Sequence, residues 1–420
     1  MMSAVKELVS TSLWFVFIAA LVGSPHFAYY ALFPISLLAV GFIIESPHGI
    51  GVRMDTNRRI YRVGEEIKIR VNLSVERGIG WVVIRNPLPP EASLVEGSNV
   101  RTFFKGLRRF EVEYEYVIVL PKRGRYTLPP TEVYAEHVLG VRESTYAVFT
   151  GGTDVTVMPE FVLSRRLHAP RKRSKLAVPV TTQSVRGALS TDFKEIREYL
   201  PGDPLRFINW KATARLGEVR VNEYEREGKK TVFFFVDVTG RMGVGSTLRT
   251  PLEYSASLVA SLSYYFLKHG YNVGLYLVGS GKLLMPSTGS EQFHSILRAL
   301  TEVQHIEGST EGFRSAVEKT KRIVAQYTPL LIYVTNLIEE GFSDVAGSLT
   351  AVISAYRKRL PAIVIDVSPY SVFEDGAVSL IELEKRALSA KLSPLARVIH
   401  WDPSEGSVSS VLAKTIMMVR

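Results

Sequence analysis

Residues 192–241 read DFKEIREYLPGDPLRFINWKATARLGEVRVNEYEREGKKTVFFFVDVTGR, and the fold turns on how this stretch is read. Its last third, TVFFFVDV, is apolar without alternation, the pattern of a strand buried on both faces of a parallel sheet. That strand ends in Asp237, expected as an exposed acid, with Thr239 two residues on. Open α/β sheets build ligand sites at such C-terminal strand lips. Upstream, DFKEIREYL has the spacing of an amphipathic helix. It leads through the turn Pro201-Gly202-Asp203 into a segment carrying Trp210, expected to be buried as an anchor.

Working outward towards the C-terminus, strands and helices alternate. NVGLYLVG, PLLIYVTNL, AIVIDVS and RVIHWD read as further buried strands. PLEYSASLVASLSYYFLKHG, EQFHSILRALTEVQ, EGFRSAVEKTKRIVAQY, VAGSLTAVISAYRKRL and SSVLAKTIMMVR have helical spacing. A mainly parallel sheet covered on both faces follows, a doubly wound α/β domain over residues 231–420. Three strand-end loops are chemically suggestive: Asp237 to Arg241, Gly308-Ser309-Thr310 opening a helix at Glu311, and Thr335-Asn336. Oxygen ligands from separate loops are what Mg²⁺ prefers. The same Ser and Thr residues also serve as ordinary helix caps.

Towards the N-terminus, residues 49–162 change to period two in EEIKIRVNLSVE, GWVVIRN, RRFEVEYEYVIVL and TDVTVMPE, with proline- and glycine-rich punctuation. This pattern predicts an antiparallel β-sandwich. The Asn72-Leu73-Ser74 sequon falls in mid-strand and is read as incidental. Residues 165–175, RRLHAPRKRSK, hold six basic residues within a linker assigned to 163–190. Such a run is either a solvated linker or a patch for anionic lipid.

No charged residue lies between Glu7 and Glu45, and Gly23-Ser24-Pro25 interrupts this apolar stretch. Residues 1–48 therefore read as a transmembrane hairpin of two spans, each roughly 18 residues, close to the 30 Å of a bilayer core. A cleavable signal peptide fits less well, because a second apolar run follows at once. Lys6 precedes the first span and Arg53, Arg58, Arg59 and Arg62 follow the second, whereas the hairpin has neither Lys nor Arg. The positive-inside bias places the soluble domains in the cytoplasm.

The 420 residues carry a net charge of +10 and no cysteine. The charge suits a membrane protein with cytoplasmic Lys/Arg excess, and no specific nucleic-acid partner is expected. The absence of cysteine excludes disulfides, thiolate metal sites and a cysteine nucleophile. GSGK at 279–282 is not a P-loop, since Leu283 stands where Ser or Thr is required. No zinc-protease, nucleophile-elbow or Rossmann motif occurs, so no catalytic residues are assigned.

The segment VRGALSTDFKEIREYLPGDPLRFINWKATARLGEVRVNEYERE, followed at once by FFFVDVTGRM, resembles the domain-of-unknown-function fifty-eight family, with a von Willebrand factor A-like α/β domain. Its signature stands here as Arg197-Glu198-Tyr199, Pro201-Gly202-Asp203, Arg206 and Asn209-Trp210-Lys211, in a segment assigned to 191–230. The resemblance implies a metal-ion-dependent adhesion site built from an Asp-x-Ser-x-Ser turn, a Thr and an Asp. Carried over, Asp237, Thr239 and Thr310 match, while Arg241 replaces the second Ser and Asn336 replaces the Asp. A guanidinium removes a ligand and adds positive charge, so the site reads as degenerate towards Mg²⁺, with Arg241 able to pair with Asp237 internally. The resemblance further implies a non-enzymatic, membrane-anchored scaffold that partners a MoxR-type AAA+ ATPase in protein assembly or maturation. Asp237, Arg241 and Thr310 would then meet the partner. Metal-dependent hydrolase activity at the same loops is the alternative.

Overall fold

The computed structural model describes residues 2–150, 152–162, 189–200, 205–226, 230–244, 250–356, 360–368 and 375–419. The chain forms two compact units, Met1–Met158 and Pro159–Arg420. The division falls four residues before the expected boundary at 162. Phe161 instead packs on Tyr264 and Phe293, and the Val162 amide donates to Ser261 Oγ at 3.0 Å, all within the second unit.

The first unit opens with helices α1 (Met2–Val22), α2 (His26–Tyr30) and α3 (Leu32–Ile43). Gly23, at φ +68°, turns the chain after α1 in a conformation that L-residues resist. The windows Ala4–Val22 and His26–Ile43 each have mean hydropathy 1.7 and are long enough to cross a bilayer. Only 11% and 17% of these windows is buried, so their apolar surface faces outward.

Eleven strands follow among the described residues: β1 (His48–Thr56), β2 (Ile60–Arg62), β3 (Glu66–Arg77), β4 (Gly80–Arg85), β5 (Ser93–Glu96), β6 (Val100–Lys105), β7 (Phe110–Val119), β8 (Gly124–Thr127), β9 (Thr131–His137), β10 (Thr145–Phe149) and β11 (Asp154–Met158). They form sheets in the orders β1-β3-β7-β5, β10-β9-β4-β6 and β2-β11-β8. Alternation decides which face is buried. Ile67, Ile69, Val71, Leu73 and Val75 of β3 point into one core with Val82 and Ile84 of β4 and Val133 of β9. The expected all-antiparallel pairing fails at one place: β2 runs parallel to β11, because β11 returns from the far end of the unit beside the short β2.

The second unit begins with β12 (Leu189–Glu198), α4 (Trp210–Leu216) and β13 (Arg220–Arg226). The helix expected over DFKEIREYL is a strand, paired antiparallel with β13. A register shift between Phe193 and Glu195 places an extra residue of β12 opposite β13. The turn Pro201-Gly202-Asp203 and the basic run 165–175 lie outside the described residues.

The main sheet takes β14 (Thr231–Asp237), α5 (Pro251–Lys268), β15 (Asn272–Val278), β16 (Lys282–Ser287), α6 (Ser290–Glu302), α7 (Phe313–Tyr327), β17 (Leu330–Thr335), α8 (Glu339–Tyr356), β18 (Ala362–Val367), α9 (Asp375–Leu392), β19 (Arg397–Trp401) and α10 (Val408–Val419). The strand order is β16-β15-β14-β17-β18-β19. All pairs are parallel except the edge strand β16, which returns as a hairpin on β15. Phe233 and Phe235 pack with α7 and α8 residues in one cluster, and Phe234 meets Phe266 of α5 on the opposite face. Every residue of β14 is buried. The chain leaves β14 towards β15 on one side and later towards β17 on the other. The C-terminal ends of β14 and β17 therefore flank the place where the order reverses, the usual crevice of an open α/β sheet.

Candidate functional site

Asp237 closes β14 and is fully buried, not exposed as its sequence position implied. Burying a carboxylate requires donors for its oxygens, and both are supplied. Oδ1 accepts from the Thr239 amide at 2.9 Å and the Thr239 hydroxyl at 2.8 Å. Oδ2 accepts from the Thr335 hydroxyl at 2.6 Å and from Arg241 Nε. The short helical turn Gly240–Met242 brings Arg241 back over the strand end.

The guanidinium, only 10% exposed, bridges two acids, since its second nitrogen pairs with Asp344 Oδ2 of α8 at 3.1 Å. It also lies 5.7 Å above the Phe313 ring. Burial acts to lower the Arg241 pKa, but Asp237 and Asp344 outweigh it and hold the group above its ordinary value. Asp344 does a second task. Its carboxylate accepts from the Phe313 amide at 2.8 Å and the Arg314 amide at 3.3 Å, and so caps the N-terminus of α7. Helix α7 therefore starts at Phe313, two residues later than the expected opening at Glu311.

Asn336, also fully buried, lies behind this pair. Its Nδ2 donates to the Arg241 carbonyl at 3.2 Å, and its Oδ1 accepts from Lys385 Nζ of α9 at 3.0 Å. An Asp at 336 could not donate to that carbonyl. Asp237, Thr239, Arg241 and Asn336 thus come together. Thr310 lines the wall of the same groove and is exposed, and the hydroxyl that reaches Asp237 from another loop is that of Thr335.

This donor set does not fit Mg²⁺. The cation needs oxygens, and Asp237 already accepts four hydrogen bonds, one of them from a guanidinium where the second Ser would stand. Among the described residues no cluster of three His, Asp or Glu forms a metal site.

Above the closed carboxylate lies a groove of about 1070 Å³, lined by Thr239 and Arg241, the 308–312 loop, and the facing sides of α7 and α8. Glu311 at its rim accepts from Tyr276 Oη at 2.6 Å, Lys319 Nζ at 2.6 Å and the Gly279 amide at 3.1 Å. Burial works to raise its pKa, but these donors win and hold it below the usual carboxylate range.

Sequence reasoning missed a second polar cluster. Asp366, at the end of β18 and fully buried, accepts from Lys385 Nζ at 2.9 Å and the Leu337 amide at 2.7 Å, and pairs with His400 Nδ1 at 2.9 Å. Burial opposes its charge, but these partners hold its pKa below the ordinary range. Ser389 Oγ meets His400 Nε2, which gives the order of a hydrolase triad. Ser389, however, sits within α9 and donates to the Lys385 carbonyl at 2.7 Å, so the surrounding amides are engaged in the helix and offer no oxyanion hole. The three acidic and basic residues come from α9, β18 and β19, too far apart in the chain for any spacing rule to find.

The signature residues build a clasp. Asn209 caps α4 by accepting from the Ala212 amide at 2.9 Å, and its Nδ2 reaches Asn222 of β13 at 2.7 Å. Glu198 pairs with Arg220 across the β12–β13 hairpin at 3.3 Å, and the Arg197 guanidinium donates to the Glu198 carbonyl at 2.9 Å. The Tyr199 amide donates to the Val219 carbonyl at 3.0 Å. Arg206 lies over the Phe207 ring. Trp210, expected as a buried anchor, is 69% exposed, because as the first residue of α4 it projects from the clasp beside the exposed Lys211.

The resemblance rests on the signature residues and the apolar strand that follows them. The match is borne out: the family model described as "Protein of unknown function DUF58" covers residues 195–390. The "Uncharacterized protein YeaD" of Bacillus subtilis (strain 168) is 23% identical over 340 residues, spanning 79% of this chain and 82% of that protein. Among solved structures, a von Willebrand factor type A from Catenulispora acidiphila aligns with TM-score 0.28 and 10% identity over 45% of this chain and 43% of that one. A non-cellulosomal cohesin from the hyperthermophilic archaeon Archaeoglobus fulgidus aligns with TM-score 0.19 and 11% identity over 25% of this chain and 90% of that one.

Proposed function

We propose that the protein is a non-enzymatic, two-pass membrane scaffold or adaptor with cytoplasmic soluble domains, working with a MoxR-type AAA+ ATPase in protein assembly or maturation. In this reading the first unit is a membrane hairpin followed by a mainly antiparallel β-sandwich. The second is a doubly wound von Willebrand A-like domain whose adhesion-type face has lost its metal. The observation that carries it is the closed state of Asp237 beneath an open groove. An internal guanidinium neutralises the carboxylate, and the surface left for a partner consists of Thr310 and the facing sides of α7 and α8. Arg241 then acts by holding the groove floor in shape, with little of its own surface to offer.

The test uses full-length protein in detergent and a purified MoxR-type ATPase. Thr310→Arg and Ala355→Arg, both on the groove surface, should weaken binding at least tenfold, whereas Arg85→Ala on the first unit should not. Binding unchanged by both groove variants would sink the docking reading.

The alternative, Mg²⁺-dependent binding or hydrolysis at the Asp237 loops, has the occupied carboxylate against it. Lipid or nucleic-acid binding by residues 165–175 predicts affinity that falls steeply with salt.

A further inference from the structure

The β6–β7 loop lies beside the exit of the hairpin. The Ile79 amide, just before β4, donates to the Glu45 carbonyl at 2.9 Å, and His137 at the end of β9 reaches the Ile44 carbonyl at 3.2 Å. A Cβ on Gly78 would stand 2.2 Å from the Ser46 carbonyl oxygen, so the chain leaving α3 runs directly against the start of β4. Gly80 pairs with both His137 and Lys105. β4 thus separates the end of β6 from the chain leaving the apolar helix, which lies on its β9 side, a distance of about two strand spacings, or about 10 Å.

The next residues are Gly106, Leu107, Arg108 and Arg109. Leu107 is 89% exposed. Its presentation is built in: Lys105 is fully buried, and its ammonium donates to the carbonyls of Gly106 at 2.8 Å and Arg108 at 2.6 Å, clamping the loop on either side of Leu107. One residue into the sheet, Trp81 and Phe104 are both 47% exposed, with ring centroids 5.0 Å apart.

We propose that this loop and the Trp81–Phe104 pair are a second membrane contact, seated at the headgroup–acyl boundary of the bilayer that the hairpin enters. The inference rests on the reading of the hairpin as membrane-spanning. Leu107 enters the outermost acyl region, and the guanidinium of Arg108 meets lipid phosphate, as does that of Arg109, which also pairs with Glu111. The two aromatic rings lie at headgroup level, where amphipathic belts concentrate. The contact fixes the tilt of the β-rich unit on the membrane, which two helix ends alone leave free to rock.

The chain has no cysteine, so single-cysteine variants report one position each. Leu107→Cys, Val100→Cys and Phe17→Cys would be labelled with an environment-sensitive fluorophore in the full-length protein. Each would be reconstituted in phosphatidylcholine–phosphatidylglycerol vesicles containing shallow or deep nitroxide lipids. Val100 is the control at the opposite end of β6, about 17 Å from Lys105 at 3.4 Å per residue.

The expected result is a blue-shifted label at 107, quenched several-fold more by shallow nitroxide than the label at 100, with the label at 17 quenched by deep nitroxide. If 107 is quenched no more than 100 while 17 is quenched, the loop contact is wrong and the hairpin reading stands. If 17 is not quenched either, both fall. A blue shift at 107 without quenching would place a second copy or another protein on the loop, and would also overturn the proposal.

Discussion

Arg241→Ala removes the positive charge that Asp237 shares with Asp344. Breaking one partner of a buried ion pair costs about 3–5 kcal/mol, because the remaining charge is left uncompensated. Asp237 keeps the Thr239 amide, the Thr239 hydroxyl and the Thr335 hydroxyl, which places the loss at the low end, about 3 kcal/mol. With a urea dependence of about 2–3 kcal/mol per molar for a unit of this size, the midpoint should fall by about 1 M or slightly more. Trp401 is 3% exposed in the second unit and reports its unfolding, once Trp14, Trp81 and Trp210 have been replaced by Phe in full-length protein held in detergent. Adding Asp237→Asn to Arg241→Ala removes the stranded charge and should restore at least about 1 kcal/mol, a non-additive gain expected for groups in contact. An Arg241→Ala midpoint within error of the parent would refute the claim that the guanidinium closes the site. So would a double variant less stable than Arg241→Ala alone.

Three further outcomes follow from the same geometry. Glu311 has its pKa lowered in the folded state, so it contributes stability above its unfolded value that is lost as pH falls through the folded one; Glu311→Gln should lower stability at neutral pH, with the gap from the parent closing below about pH 4.5, so the acid limb of the variant's stability profile is flatter. Lys385→Met leaves Asp366 with His400 and one amide, and should destabilise the second unit by about 3 kcal/mol in the same urea assay. Asn209→Ala removes the α4 cap and should cost about 1 kcal/mol, read as faster amide exchange at Ala212 and along β13 with little change in the main sheet.

The main sheet was legible because its strands are continuous apolar runs, and the residues of TVFFFVD, LLIYVT and AIVIDV are all buried. The loops that meet at Asp237 were legible for a related reason: the ends of parallel strands converge on one lip. How they meet was not. Sequence position made Asp237 an exposed acid, because nothing local shows that Thr335, 98 residues away, donates to the same oxygen that Arg241 holds. Charge logic at Arg241 did foresee an internal pair, since a guanidinium four residues beyond a carboxylate has few other uses in a closed strand-end turn. The β12 strand was misread because Phe193, Ile196 and Leu200 stand at three- and four-residue spacing in the sequence, and Trp210 because an aromatic residue in a signature was equated with burial. The Asp366–Lys385–His400 cluster was invisible because α9 itself went unrecognised.

The proposed function rests most directly on Arg241 filling the Asp237 site in place of a metal ion. Calorimetric titration of Mg²⁺ into the full-length protein, beside Arg241→Ser, tests it. The variant restores a hydroxyl at the second Ser position and frees Asp237 and Asp344. The account predicts saturable Mg²⁺ binding by Arg241→Ser and no binding heat from the parent protein. Saturable binding by the parent that Asp237→Asn abolishes would contradict it.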